Sequence, residues 1–227
     1  MRLSLLIPLI LLFVPAQETA DISGKIEFPE GAAPKRTKPP RIKDPAHRSL
    51  WKAPDPSPAV VYLVGPASAK VADRKAEMRQ KDLEFRPRVL AIQSGTTVRF
   101  PCEDSIQHHV FSYSKTQRFD LGHYGQGEAK EETFTQPGVI EVSCEIHSHM
   151  RGYVVVVDHP YYAVADADGR YTIPKVPAGA YTLVAWHEDF EPLKREIEVK
   201  AGSTTVDLKF AMGGAPVRTL GHNCCSE

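Results

Sequence analysis

Beyond its first twenty residues the chain offers short apolar runs of alternating character and almost no helical periodicity, which restricts it to layered sheets. The runs fall at residues 22–28, 59–64, 89–93, 96–100, 109–113, 132–135, 139–144, 152–157, 170–174, 179–186, 196–200 and 204–210. They are rich in Val, Ile, Thr and aromatic residues and are bounded by Gly, Pro, Asp or Ser, the pattern of half-buried strands separated by turns. Many short strands with regular turn signals predict an all-β chain made of β-sandwiches. The best helical candidate, residues 69–80, is polar and has no apolar stripe. Residues 29–58 are rich in Pro and in basic residues (Lys35, Arg36, Lys38, Arg41, Lys43, Arg48 and Lys52) and carry no periodicity, so an extended loop is expected there.

The N-terminus has a different character. Arg2 precedes an apolar stretch from Leu3 to Val14, and small residues then offer cleavage points after Ala16 or Ala20. A short basic segment, an apolar core and small residues predict a secretory signal over residues 1–20 and export to the periplasm or cell envelope. No later apolar run is long enough to cross a bilayer, so the mature chain is expected to have no transmembrane segment. Lys plus Arg balance Asp plus Glu, 28 against 28, in a chain of 227 residues. That balance gives no electrostatic case for nucleic acid. The four cysteines, Cys102, Cys144, Cys224 and Cys225, do not have the spacing of a disulfide scaffold.

The chemistry concentrates in Val139-Ile140-Glu141-Val142-Ser143-Cys144-Glu145-Ile146-His147-Ser148-His149-Met150. A strand ends at Cys144, and the spacing C-x2-H-x2-M then places three soft or borderline donors on one tight loop. Another strand begins upstream at His108-His109. A copper ion that exchanges electrons must be stable as Cu(I) and as Cu(II). Thiolate and thioether favour the softer state and imidazole serves either, so two His, one Cys and a weak Met suit a mononuclear type 1 copper. Zinc takes stronger donors than Met. A Cys nucleophile would need an orienting group and a pocket, neither of which the sequence signals. No enzymatic activity is expected.

At these residues the chain resembles the cupredoxins, within them the amicyanin and plastocyanin-like group. The spacing of Cys144, His147 and Met150 is amicyanin-like. The stretch from Phe85 to Phe100 resembles the family's first strands, and Phe119-Asp120-Leu121-Gly122 with Pro137-Gly138 is similar to a subgroup called methylamine utilisation protein. The resemblance spans about residues 75–158 and implies a Greek-key β-sandwich with metal ligands His108, Cys144, His147 and Met150. Strand alternation sends His108 and His109 to opposite faces, and the family motif selects His108. The family usually has Asn directly after the first His, and the subgroup usually has Asn in the place of Cys102; here His109 and Cys102 stand instead, and Cys102 is expected to be a free buried thiol or a disulfide partner for the tail, with a neighbour of the site as the alternative. His149 is an alternative to His147, made awkward by Met150 beside it. His123 sits on an expected Gly-rich loop and is expected to be merely exposed. As in similar cupredoxins, His147 is expected to be the solvent edge through which electrons leave.

Residues 160–212 differ. Asp166-Ala167-Asp168-Gly169-Arg170-Tyr171-Thr172-Ile173 followed by Val176-Pro177-Ala178-Gly179-Ala180-Tyr181-Thr182-Leu183 resembles the carboxypeptidase regulatory-like, or transthyretin-like, domain. Its usual opening strands are missing here, but similar ones occur at Ile22–Ile26 and Val60–Leu63. Residues 21–66 are therefore expected to complete a second small β-sandwich, with the copper segment inserted between; the alternative is a copper-binding sandwich with extra N-terminal strands followed by a separate C-terminal domain. Trp186-His187-Glu188 is expected to pack against the copper segment. Residues 213–227, with His222, Cys224 and Cys225, form an expected flexible tail. The expected function is one-electron transfer, with an unknown redox partner of the dehydrogenase, cytochrome or oxidase kind. Copper storage or delivery, or a scaffold with a vestigial site, are the alternatives.

Overall fold

A computed structural model describes residues 18–30, 42, 44–52, 56–65 and 74–211. Most of the expected leader, much of the Pro-rich basic segment, and the tail with His222, Cys224 and Cys225 lie outside the described residues. In chain order the elements are β1 (Thr19–Glu27), α1 (Pro45–Leu50), β2 (Val60–Val64), β3 (Lys75–Glu77), β4 (Arg79–Lys81), β5 (Glu84–Arg86), β6 (Val89–Gln93), β7 (Thr96–Pro101), β8 (His108–Ser112), β9 (Phe119–Tyr124), β10 (Ala129–Phe134), β11 (Gly138–Cys144), β12 (Arg151–Val157), β13 (Tyr162–Val164), β14 (Arg170–Pro177), β15 (Gly179–His187), β16 (Phe190–Val199), β17 (Gly202–Thr205) and β18 (Leu208–Lys209). The all-β class expected from the strand pattern is the one observed.

The strands enclose two main cores. One is covered by a sheet ordered β14-β1-β17, with β18 also on β1, and by a sheet ordered β13-β2-β15-β16. Its buried residues include Ile22, Ile26, Val61, Leu63, Ile173, Leu183 and Phe210. The N-terminal strands thus pair with the C-terminal ones: Ile22 stands opposite Ile173, and Val61 opposite Ala185. Gly24 is needed for this closeness, because a Cβ there would lie 1.9 Å from the Val206 carbonyl oxygen. The turn at Asp168-Gly169 is tied by Asp166, whose carboxylate accepts from the Asp168 and Arg170 amides, and Gly169 takes φ +79°.

The second core lies between a sheet ordered β6-β12-β11-β8-β9 and one ordered β10-β7-β3, flanked by the β4-β5 hairpin. Period-two alternation fills it: Val98 and Phe100 from β7, Ile140 and Val142 from β11, Val154 and Val156 from β12. The apolar run Val154–Val157 does not alternate because both faces of β12 are covered. Val155, on the reverse face, packs with Val60, Val89 and Trp186, which joins the two sandwiches.

Three expectations are corrected. The described part of the helical candidate at 69–80 forms β3 and β4 instead: Lys75–Glu77 runs parallel to β7, and Arg79–Lys81 pairs with β5. Its lack of an apolar stripe left a helix nothing to bury, while backbone pairing satisfies a polar strand. Within the expected loop at 29–58, Pro45–Leu50 forms α1, started by Asp44, whose side chain accepts from the Ala46 amide at 2.8 Å, with Pro45 in the first turn. His123 belongs to β9 and not to a loop; it is exposed, and it stands opposite His109.

Candidate metal centre

Two neighbouring strands and one loop assemble the site. Cys144 closes β11 on the same face as Ile140 and Val142, so the alternation that builds the core also turns its thiol inward. β8 pairs with β11, setting Val110 opposite Cys144, and β8 begins at His108. The loop after Cys144 is held by its own backbone: the Met150 amide donates to His147 O at 2.8 Å, and the Cys144 amide donates to Met150 O at 3.3 Å.

These elements bring three donor atoms together. His108 Nδ1 and His147 Nδ1 are 3.1 Å apart, and Cys144 Sγ lies 3.9 Å from the first and 3.8 Å from the second. Donors about 2.0–2.3 Å from a shared ion in a trigonal plane stand about 3.6–3.8 Å apart. The two N–S separations meet that requirement, and the two nitrogens need only part slightly. His108 and Met150 are wholly buried, and Cys144 and His147 nearly so. Met150 shares the core cluster of Cys144. The three converging donors therefore fit a copper ion in chemistry and in spacing, and Met150 adds a soft thioether from the same core cluster.

The sulfur is prepared as a thiolate. Burial pushes the Cys144 thiol up, but hydrogen bonds from His108, His147 and the backbone outweigh it and bring the pKa down to about 5. One of those bonds is the His109 amide donating to Sγ at 3.5 Å. Cys102 contrasts with it: burial, with the Asp104 charge beside it, raises that thiol to about 11. The Cys102 thiol is free and donates to Asp104 O and Ile106 O. It is a free buried thiol of the core.

Asp104, in an irregular segment with no periodic signal, fixes the first histidine. His108 Nε2 donates to Asp104 Oδ2 at 2.9 Å, leaving Nδ1 to face Cys144. Burial opposes charge on His108, yet the Asp104 carboxylate and the Cys144 sulfur together outweigh it and raise its pKa. Asp104 also accepts from the Asp82 and Leu83 amides at 2.7 and 3.1 Å.

His109 faces the other way, as alternation requires. Its Nδ1 is 2.7 Å from Glu145 Oε2 and its Nε2 is 2.5 Å from Asp120 Oδ1. The link to Glu145 ties the residue after one donor histidine to the residue after the donor cysteine. That brace spans the two donor-bearing segments. His149 is partly buried, with its ring centroid 6.0 Å from that of His147. It is not among the converging donors.

The expected solvent edge at His147 is corrected. Its Nε2 lies 3.3 Å from His47 Nδ1, and the ring is only 5% exposed. α1 carries His47 over it and is held there by Ile42, buried in the core, and by Trp51, whose indole donates to Glu84 at 3.2 Å. Asp44-Pro45 was the one local signal for this helix; its contact with a residue 100 positions away had none.

Residues 72–157 match the family model for copper binding proteins of the plastocyanin/azurin family. Residues 147–213 match the carboxypeptidase regulatory-like domain. Among solved structures, a Cu-containing nitrite reductase from Thermus scotoductus SA-01 is 28% identical over 42% of this chain, with a TM-score of 0.35. The chain spans only 25% of that reductase. A purple cupredoxin from Nitrosopumilus maritimus is 28% identical over 32% of this chain and 81% of its own, TM-score 0.30. The Cu(I) form of an amicyanin mutant is 22% identical over 42% of this chain and 99% of its own, TM-score 0.35. A search of curated proteins returned no match. No helix among the described residues is long and apolar enough to cross a membrane.

Proposed function

We propose that the chain is an exported one-electron carrier holding a single type 1 copper on His108, Cys144, His147 and Met150. The observation that carries this reading is the convergence of two imidazole nitrogens on a buried thiol whose pKa is brought down to about 5. Copper bound there supplies a Cu(II)/Cu(I) couple. The protein's own part is to keep the donors fixed: Asp104 holds His108, the loop's backbone bonds hold His147 and Met150, and the core excludes water. His47 touches the one ring nitrogen of His147 that faces away from the donors, so an electron leaving through His147 passes under it.

The copper segment is carried as an insertion in the carboxypeptidase regulatory-like sandwich. Pairing of β1 with β14 and of β2 with β15 supports this, as does a core drawn from both ends of the chain. Thr19 and Ala20 belong to β1, and Ala20 is buried. Of the two leader cleavage points, the one after Ala16 leaves that strand whole.

The test is reconstitution with one equivalent of Cu(II). An intense thiolate-to-copper band in the visible, lost in Cys144→Ala, is the expected result. A weak tetragonal spectrum with much tighter Cu(I) binding would instead indicate storage or delivery, and no stoichiometric copper would indicate a scaffold. A second prediction concerns the cover. His47→Ala is expected to raise the rate at which a small anionic complex such as hexacyanoferrate(III) oxidises the reduced protein several-fold, because the His147 edge gains direct access to solvent. An unchanged stopped-flow rate would mean that electrons leave elsewhere.

A further inference from the structure

We infer that His109, His123 and Glu145 form a second metal site, for a borderline divalent ion such as Cu(II) or Zn(II), on the outer face of the strands that carry the first. One ligand atom from each of the three lies within 4.8 Å of the others. The site follows from strand geometry. His108 and Cys144 point inward, so the next residue of each chain segment, His109 and Glu145, points outward. β9 then supplies His123 directly opposite His109, with ring centroids 4.6 Å apart.

His109 is arranged as metal-binding histidines are. Asp120 holds Nε2 at 2.5 Å, and the same carboxylate oxygen is itself fixed by the Gly122 amide at 2.7 Å. That leaves Nδ1 directed to Glu145. The His109 side chain is 11% exposed, whereas Glu145 is 66% exposed, so the site has a fixed inner ligand and an open outer side where water completes the coordination. Two imidazoles and a carboxylate exclude the all-oxygen preference of Ca(II) and Mg(II) and the sulfur preference of Cu(I). Among divalent ions the affinity order places Cu(II) highest. The opposing reading is an ion pair in which His109 bridges two carboxylates and binds no metal.

Titration of the full chain separates them. After the first equivalent of Cu(II) has saturated the visible band, a second is expected to give a tetragonal EPR signal with nitrogen hyperfine structure. His123→Ala and Glu145→Gln should each weaken that second equivalent at least tenfold. Asp120→Asn, a change to the residue that positions His109, should weaken it about 10–100-fold. A second equivalent that persists unchanged in His123→Ala, or one that never binds, overturns the inference. Zn(II) uptake measured by equilibrium dialysis in the Cys144→Ala chain keeps the test independent of the first site. One His123-dependent equivalent is expected there even if the visible band is never obtained, and its absence counts against the second site alone.

Discussion

Asp104→Ala is expected to lower copper affinity about 10–100-fold, the usual effect of removing the group that orients a metal-bound histidine. The same variant should destabilise the metal-free fold by about 1–3 kcal/mol. The first effect follows from the 2.9 Å contact with His108 Nε2, which sets the direction of the ring. The second follows from the turn that Asp104 supports. Asp82 and Leu83 both take positive φ, 56° and 58°, without being glycine. Their amides donate to the Asp104 carboxylate, so the aspartate offsets backbone strain of about 1–3 kcal/mol per residue. Asp104→Asn divides the two roles in part: its oxygen in the place of Oδ1 still accepts from the Asp82 amide, while the NH2 group in the place of Oδ2 faces His108 and the Leu83 amide and accepts from neither. Only part of the stability should return, through the Asp82 amide, while copper affinity stays low. Competition titration with a copper chelator and urea unfolding of the metal-free chain measure the two. Unchanged affinity in both variants would mean that His108 is oriented without Asp104.

The contrast between Asp104 and Cys144 shows what a sequence can and cannot disclose. Cys144 was legible because it continues an alternation: Ile140, Val142 and Cys144 share a face, and the loop beyond them carries His147 and Met150 at fixed short spacing. Asp104 stands in an irregular segment between β7 and β8, where no period says which way a side chain points. His47 was harder still. α1 has six residues and no buried one, so it leaves no periodic trace, and only tertiary packing brings it to His147. Most strands whose apolar residues face a core were readable, although β9, which buries Tyr124, was masked by its glycine-containing stretch. β3 and β4 were not, because a polar strand fixed by backbone bonds to β7 and β5 does not differ in composition from a loop. The pairing of His109 with His123 depends on the register of β8 against β9, which includes an irregularity between His109 and Phe111. Register of that kind is a property of the assembled sheet.

The junction between the two sandwiches should be the most sensitive point in the stability of the chain. Glu188→Ala is expected to cost about 3–5 kcal/mol, since it leaves a buried guanidinium without its main partner. Arg88 Nε and Nη2 donate to the two Glu188 oxygens, each at 2.6 Å, and the side chains are 5% and 11% exposed. Burial disfavours the charge on Arg88, but Glu188 outweighs it and keeps the pKa above its ordinary value. Glu84, 3.7 Å away, is a weaker second partner, and the Ser57 hydroxyl donates to Glu188 from the segment before β2. Arg88 precedes β6 in the copper-binding segment and Glu188 follows β15 in the other sandwich, so the pair spans the same boundary that Val155 and Trp186 close by apolar contact. Arg88 Nη1 also donates to Arg151 O at 2.6 Å, immediately after Met150, and so ties the end of the donor loop to this boundary. The visible copper band should survive in Glu188→Ala, because no donor or donor-orienting contact is removed. Arg88→Met combined with Glu188→Leu should be much less destabilising than the two single losses added together, because burying apolar groups in place of an ion pair removes the desolvation cost along with the attraction. Chemical unfolding of the four chains measures this directly. A loss below about 1 kcal/mol in Glu188→Ala, the range of exposed pairs, would show that water reaches the pair and that the apolar contacts alone hold the sandwiches together.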